Sequence, residues 1–177
     1  MLTTERLIIR PYTKNDFEDY YLFMSLPETY RFEPGQPISL SDAKKFCREF
    51  DGKMAPGFFA AELNENRKVI GHVSFFPKGP PDFKTWEVGY IFNPTYQNKG
   101  YATEATKAVI RYAFNELGAH RVTAGCSPDN IGSWKVLEKC GMKREGLEKK
   151  NFLHHDENGN PVWFDSYSYA ILDEELK

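Results

Sequence analysis

Gln97, Gly100 and Ala102 stand in the stretch NPTYQNKGYATEA, between a run of strand-forming residues and a run with helical spacing. That combination can bind an anion. Glycine takes backbone angles closed to other residues, alanine lets a ligand approach the first helical turn, and the unpaired N–H groups of that turn carry partial positive charge. The stretch therefore reads either as a phosphate cradle or as a plain helix start. A nucleotide-phosphate enzyme is disfavoured, because neither G-x-x-x-x-G-K followed by Ser or Thr nor G-x-G-x-x-G occurs.

Other residue types able to do chemistry are spread along the chain. Asn130 and Ser133 open the short helical stretch NIGSWKVLEKCGM, where Asn130 is suited to cap the helix or touch a ligand. The Ser133 hydroxyl can complete the first turn or donate a hydrogen bond to a departing group. Glu87, between Trp86 and Val88, is either a carboxylate that takes a proton from an ammonium or the solvent-facing residue of an alternating strand. Cys126 has no nearby histidine to support it as an acyl-carrying nucleophile. The run HHDE, His154 to Glu157, offers metal-ligand types beside NGN. It reads as a solvated loop bordering a substrate mouth, and no metal is expected, because no supporting ligand set occurs elsewhere. Glu28, Glu33, Asp156 and Glu157 can attract a cationic amine, though scattered acids on loops are commonly only solvated.

The stretch EVGYIFNPTYQNKGYATEA resembles the acetyl-CoA-binding motif of the GNAT N-acetyltransferase superfamily. The signature there is Gln or Arg, two variable residues, Gly, any residue, then Gly or Ala, met here by Gln97, Gly100 and Ala102. The second stretch, NIGSWKVLEKCGMKREG, resembles the following motif of the ribosomal-protein N-terminal acetyltransferase branch through Asn130, Ser133, Glu138, Lys139 and Gly141.

The resemblance implies transfer of acetyl from acetyl-CoA to a primary amine by direct attack through a tetrahedral intermediate. The acceptor would be a protein N-terminus or a small-molecule amine such as an amino acid, polyamine or antibiotic amine. It also implies that Gln97, Asn98, Lys99, Gly100, Tyr101, Ala102 and Thr103 hold the coenzyme A pyrophosphate, with Asn130 and Ser133 also in contact. The pantetheine would lie where the strand ending at Ile91 and Phe92 splays from a parallel strand, Val122 to Cys126, and an amide near Ile91 or Phe92 would receive the oxyanion. Ser133 would donate to the thiolate, and the proton of the ammonium would go to Glu87, directly or through water, or to a water chain. Many members carry a tyrosine seven residues beyond the asparagine for the thiolate; Leu137 stands there, which shifts attention to Ser133. A catalytically inactive acyl-CoA-binding sensor or interaction module is the alternative, disfavoured because Gln97, Gly100, Ala102, Asn130 and Ser133 are retained together.

The elements that must position these residues read as strand, two helices, three strands, helix, strand, helix and two strands. That order is α/β, and with the resemblance it predicts a mixed, mostly antiparallel sheet flanked by helices. The best helix spans Gly100 to Leu117, where Ala102, Ala105, Val109, Tyr112, Ala113 and Leu117 recur three or four apart and Gly118 follows.

The 177 residues, 41% hydrophobic and 27% charged with net charge -2, suit a single domain over 1–177 and give no electrostatic reason to bind nucleic acid. No apolar run approaches the ~20 residues of a membrane span, and the start lacks a secretory signal, so a cytoplasmic protein is expected. Cys47, Cys126 and Cys140 stand far apart, against a disulfide framework. A monomer and a homodimer are equally compatible with the pattern.

Overall fold

The stretches GFFAAEL and VIGHVSFF are apolar at nearly every position, as strands covered on both faces require. In the computed structural model, which describes residues 1–53, 55–155 and 159–176, they form β3 (Gly57–Leu63) and β4 (Val69–Pro77) at the middle of the sheet. Before them come β1 (Leu2–Thr3) and β2 (Leu7–Pro11), and after them β5 (Thr85–Phe92), β6 (Arg121–Cys126), β7 (Lys143–His155) and β8 (Pro161–Leu172). The eight strands run in the order β1-β2-β3-β4-β5-β6-β8-β7. All neighbours are antiparallel except β5 and β6.

Among the described residues four α-helices flank the sheet: α1 (Phe17–Met24), α2 (Leu40–Glu49), α3 (Tyr101–Glu116) and α4 (Ile131–Lys139). The expected spacing on α3 does bury a stripe: Ala105, Val109, Ile110 and Ala113 pack on Leu7, Ile9, Phe59, Val73 and Val88. A second cluster gathers α1 and α2 with Tyr12, Tyr20, Phe23, Cys47 and Ala60. His72 is buried among these rings, with Tyr20 and Phe46 stacked at 6.0 and 6.4 Å. Burial lowers its pKa to about 4, so it is neutral near pH 7.

Ion pairs lock the N-terminal half. Arg10 bonds Asp16 at 2.7 Å and Glu62 at 2.6 Å, and the nearly fully buried Glu62 also meets Arg67 at 2.6 Å. Asp16 stands at the start of α1 but makes no side-chain cap, because its carboxylate is spent on Arg10 and the Thr13 N–H. Burial opposes its ionisation, yet these bonds outweigh burial and hold the carboxyl below its ordinary value.

Two sequence expectations change. The short β1 was not anticipated; Leu2 and Thr3 pair with Ile9 and Ile8. His154 and His155 belong to β7 rather than to a loop, because they pair with Val162 and Pro161. The His154 ring also meets Phe164 diagonally across the hairpin, 6.3 Å between centroids. Asp156 and Glu157 lie outside the described residues.

Candidate active site

Among the described residues β5 and β6 are the one parallel pair of the sheet, and they stay paired over only three positions. β5 and β6 are in register at Thr85 with Arg121, Trp86 with Val122 and Glu87 with Thr123, and they part beyond that point. The Thr123 hydroxyl donates to Trp86 O at 3.2 Å next to the point of separation. Meanwhile β5 stays paired with β4 as far as Phe92, a close approach that needs Gly71, since a Cβ there would lie 2.5 Å from Ile91 O.

Alternation decides which groups enter the gap. Asn93 N–H donates to Ile70 O on the β4 side, whereas Trp86 O faces β6. By the two-residue repeat, the amides of Val88, Tyr90 and Phe92 point into the gap and that of Ile91 points at β4. Of the two residues expected near an oxyanion, Phe92 therefore has the available N–H.

The turn before α3 sits at the end of the same gap. Gly100 has φ 86 and Asn98 has φ 60, angles that swing successive N–H groups to one side. The first helical hydrogen bond runs from Glu104 N–H to Gly100 O, so the amides of Asn98 through Thr103 have no partner among the described residues. Gln97 contributes differently. Its own N–H donates to Pro94 O and its side-chain amide donates to Phe92 O at 3.0 Å, tying the turn to the splayed strand.

Arg6 braces the turn from outside. Its guanidinium donates to Lys99 O at 2.9 Å and Glu104 Oε2 at 2.7 Å, and stacks 4.4 Å over Tyr101. Burial opposes the Glu104 charge, but bonds from Thr4 and Arg6 prevail and leave its carboxyl below its ordinary value.

Ile91, Phe92, Gln97, Asn98, Gly100, Tyr101, Ala102, Thr103, Asn130 and Ser133 all wall one cleft of about 470 Å³. Lys99 is not on that wall; its ammonium lies 5.3 Å from the Tyr96 ring. Glu87 walls a second cavity, also of about 470 Å³, with Gly89, Cys126, His154 and Phe164. Its carboxylate is half exposed and bonded to Lys78 Nζ at 2.7 Å. The two cavities share Arg31, Phe32, Glu33 and Asn130.

Asn130 caps α4, accepting from Ser133 N–H at 3.1 Å, so the capping role is present alongside its place on both walls. The Ser133 hydroxyl lies 3.0 Å from the Tyr90 hydroxyl, which donates to Ser133 O at 2.9 Å. With the Tyr90 proton so used, Ser133 Oγ is the donor of that pair and Tyr90 Oη the acceptor. Burial raises the Tyr90 pKa, so it stays protonated. Burial likewise pushes the Cys126 thiol up to about 11, which leaves little thiolate for nucleophilic attack. Leu137 of α4 is 1% exposed in the core, and its aliphatic side chain has no proton to give.

Sequence reasoning missed Tyr90, Arg6 and the junction position of Glu33. Tyr90 read as one more aromatic of a core strand. Only its place on the face toward α4, two residues after the buried Val88, would have singled it out. Arg6 is 93 residues from the turn it braces and left no local signal.

A thioester with a diphosphate tail suits this arrangement: unpaired amides at a helix start for the anion, and a gap between strands for a narrow chain. Residues 6–143 match the family described as acetyltransferase (GNAT) domain, and the chain belongs to that family. It is an acetyl-CoA-dependent N-acetyltransferase. The chain is 39% identical to the uncharacterized N-acetyltransferase YnaD of Bacillus subtilis over 98% of each chain. A crystal structure of a GNAT-family acetyltransferase from Bacillus anthracis superposes with a TM-score of 0.87 at 35% identity, covering 98% of this chain and 99% of that one. The ribosomal protein uS5 alanine N-acetyltransferase of Escherichia coli is 28% identical over 86% of this chain and 82% of its own. Among the described residues no group of three or more His, Cys, Asp or Glu could hold a metal ion, and no helix is long and apolar enough to cross a membrane.

Proposed function

We propose that this enzyme acetylates the primary amine of a peptide N-terminus, with a small-molecule amine as the second acceptor class. Two cavities that meet at the splay carry this reading: one can hold the thioester and the other the amine, so transfer needs no acyl-enzyme. The similarity to a ribosomal-protein alanine acetyltransferase favours the peptide. Polyamines remain the rival because the second cavity includes the acids Glu33, Glu87, Asp129 and Asp165.

In this reading the amides of Asn98 through Thr103 take the pyrophosphate, with Gln97 and Arg6 holding the turn in shape. The Phe92 N–H, and that of Tyr90, receive the developing oxyanion, a contribution worth about 10²- to 10³-fold per donor in comparable sites. Ser133 turns its hydroxyl from Tyr90 to the departing sulfur, and Tyr90 follows as a second donor. Glu87, paired with Lys78 at the rim, draws the cationic acceptor in.

Mass spectrometry of products tests the assignment. Purified protein is incubated with acetyl-CoA and either an Ala-initiated peptide lacking lysine or spermidine. One acetyl on the peptide α-amine is expected. Acetylated spermidine with untouched peptide would reassign the acceptor, and no acetylated amine from any primary amine despite bound acetyl-CoA would favour a binding module.

A further inference from the structure

Glu33 lies in the irregular segment between Tyr30 and α2, and among the described residues it is the one carboxylate that walls both the coenzyme cleft and the acceptor cavity. Its charge acts on Tyr90 of β5 and on Cys126 of β6, so the carboxylate stands over the gap between the parted strands. It has no hydrogen-bond or ion-pair partner among the described residues. Glu87, at the end of the paired part of β5, walls only the acceptor cavity, is half exposed and is bonded to Lys78.

Building on the transferase reading above, we propose that Glu33 accepts the proton of the acceptor ammonium at the junction of the two cavities, directly or through one water. The ammonium gives one proton to the Glu33 carboxylate, and the freed lone pair forms the C–N bond to the thioester carbonyl carbon. Collapse of the tetrahedral species breaks the C–S bond. The sulfur takes the second nitrogen proton by way of the Ser133 and Tyr90 hydroxyls, and Glu33 returns the first to solvent, so one ammonium and one thioester give one amide, one thiol and one proton.

The chemistry of Glu33 suits the task. Burial pushes its carboxyl up to about 7, near the value at which a base is both available and effective at neutral pH. The fixed charges around the joined cavities are mixed: Glu28, Glu87, Asp129 and Asp165 against Arg31, Lys135 and Lys139. Of the other titrating neighbours, Tyr90 and Cys126 stay protonated because burial raises both, and His154 of β7 walls only the acceptor cavity.

The test compares wild type, Glu33→Gln and Glu87→Gln, reading kcat/KM for spermidine and for an Ala-initiated peptide across neutral pH, with acetyl-CoA affinity from calorimetry. Wild-type kcat/KM should rise through about pH 7. Glu33→Gln should lose about 10²-fold or more at neutral pH, recover as the amine deprotonates by itself, and bind acetyl-CoA as before. Glu87→Gln should lower kcat/KM by the same modest factor at every pH, through weaker attraction of the cationic acceptor, and keep the rise through about pH 7. A wild-type profile in Glu33→Gln, or the loss appearing in Glu87→Gln instead, overturns the proposal while leaving the transferase reading intact. Wild-type protein that binds no acetyl-CoA overturns both. If neither probe amine is acetylated, carbon-13 NMR of the glutamate carboxyls in the coenzyme A complex decides: a carboxyl titrating near 7 that vanishes in Glu33→Gln supports the assignment, and its absence overturns it.

Discussion

In the proposed reading the coenzyme cleft takes its anion site from one stretch of backbone amides, Asn98 to Thr103, whereas the acceptor cavity takes its walls from four segments distant in sequence. Those four are the loop after Tyr30, the β4–β5 hairpin, the end of β6 with the loop to α4, and the β7–β8 hairpin. Equal in volume, the two differ in what recognises the ligand. Amides at a helix start bind a phosphate whatever the side chains are, so this half needs only a glycine, a small residue and a brace. The acceptor half works through side chains, and nothing in its backbone dictates which amine it takes.

The comparison breaks most easily at Gly100. Its φ of 86 is strained for any other residue, and a Cβ would stand 3.3 Å from the Arg6 guanidinium. Gly100→Val should weaken acetyl-CoA about 10²-fold, from the ~1–3 kcal/mol of such strain and the misdirected amides, with acceptor preference unchanged. Calorimetry checks the first and competition between acceptors the second. If acceptor choice shifts instead, the two halves are not separate.

Next is the seam between them. Ser133→Ala and Tyr90→Phe should each lower kcat by roughly 10-fold or more with little change in acetyl-CoA affinity, and the double variant should lose less than the product of the two. Independent losses would mean that the hydroxyls do not act as one unit. Arg6→Ala, which removes only the brace, should raise the acetyl-CoA Kd about 10-fold and leave kcat near wild type; a kcat effect alone would deny its role in shaping the turn.

The smallest effect belongs to the face that carries α1 and α2. Unfolded His72 takes up a proton near its ordinary 6.5, while the folded residue resists until about 4. Stability should therefore fall as pH drops from about 6.5 to about 4, by up to ~1.4 kcal/mol per pH unit from this residue. His72→Phe should flatten that part of a denaturation profile without altering acetyl-CoA affinity. An unchanged slope would show that the acid sensitivity lies elsewhere.

The legibility of the sequence follows the same division. The order of strands and helices was readable because α3 repeats its apolar residues three or four apart and β3 to β5 are rich in β-formers bounded by turns. The turn at Gln97 to Ala102 was readable because its parts are contiguous. Glu33 was visible only as one acid among several on loops, since its position over the gap depends on how a segment without regular structure crosses the parted strands. Tyr90 was hidden by its neighbours, as an aromatic in WEVGYIF looks like core until the fold shows which face meets α4. Asn130 was legible as a cap because asparagine opens a helical stretch there, and the fold also puts it on the cleft wall.

Amide-resolved NMR during titration with acetyl-CoA bears most directly on the central claim, that the parted β5 and β6 and the turn before α3 form one cofactor site. Saturable shifts concentrated at Asn98 through Thr103 and at Tyr90 and Phe92 are expected, with ATP producing none of them. Binding that leaves those amides unmoved, or no binding by folded protein, would contradict it.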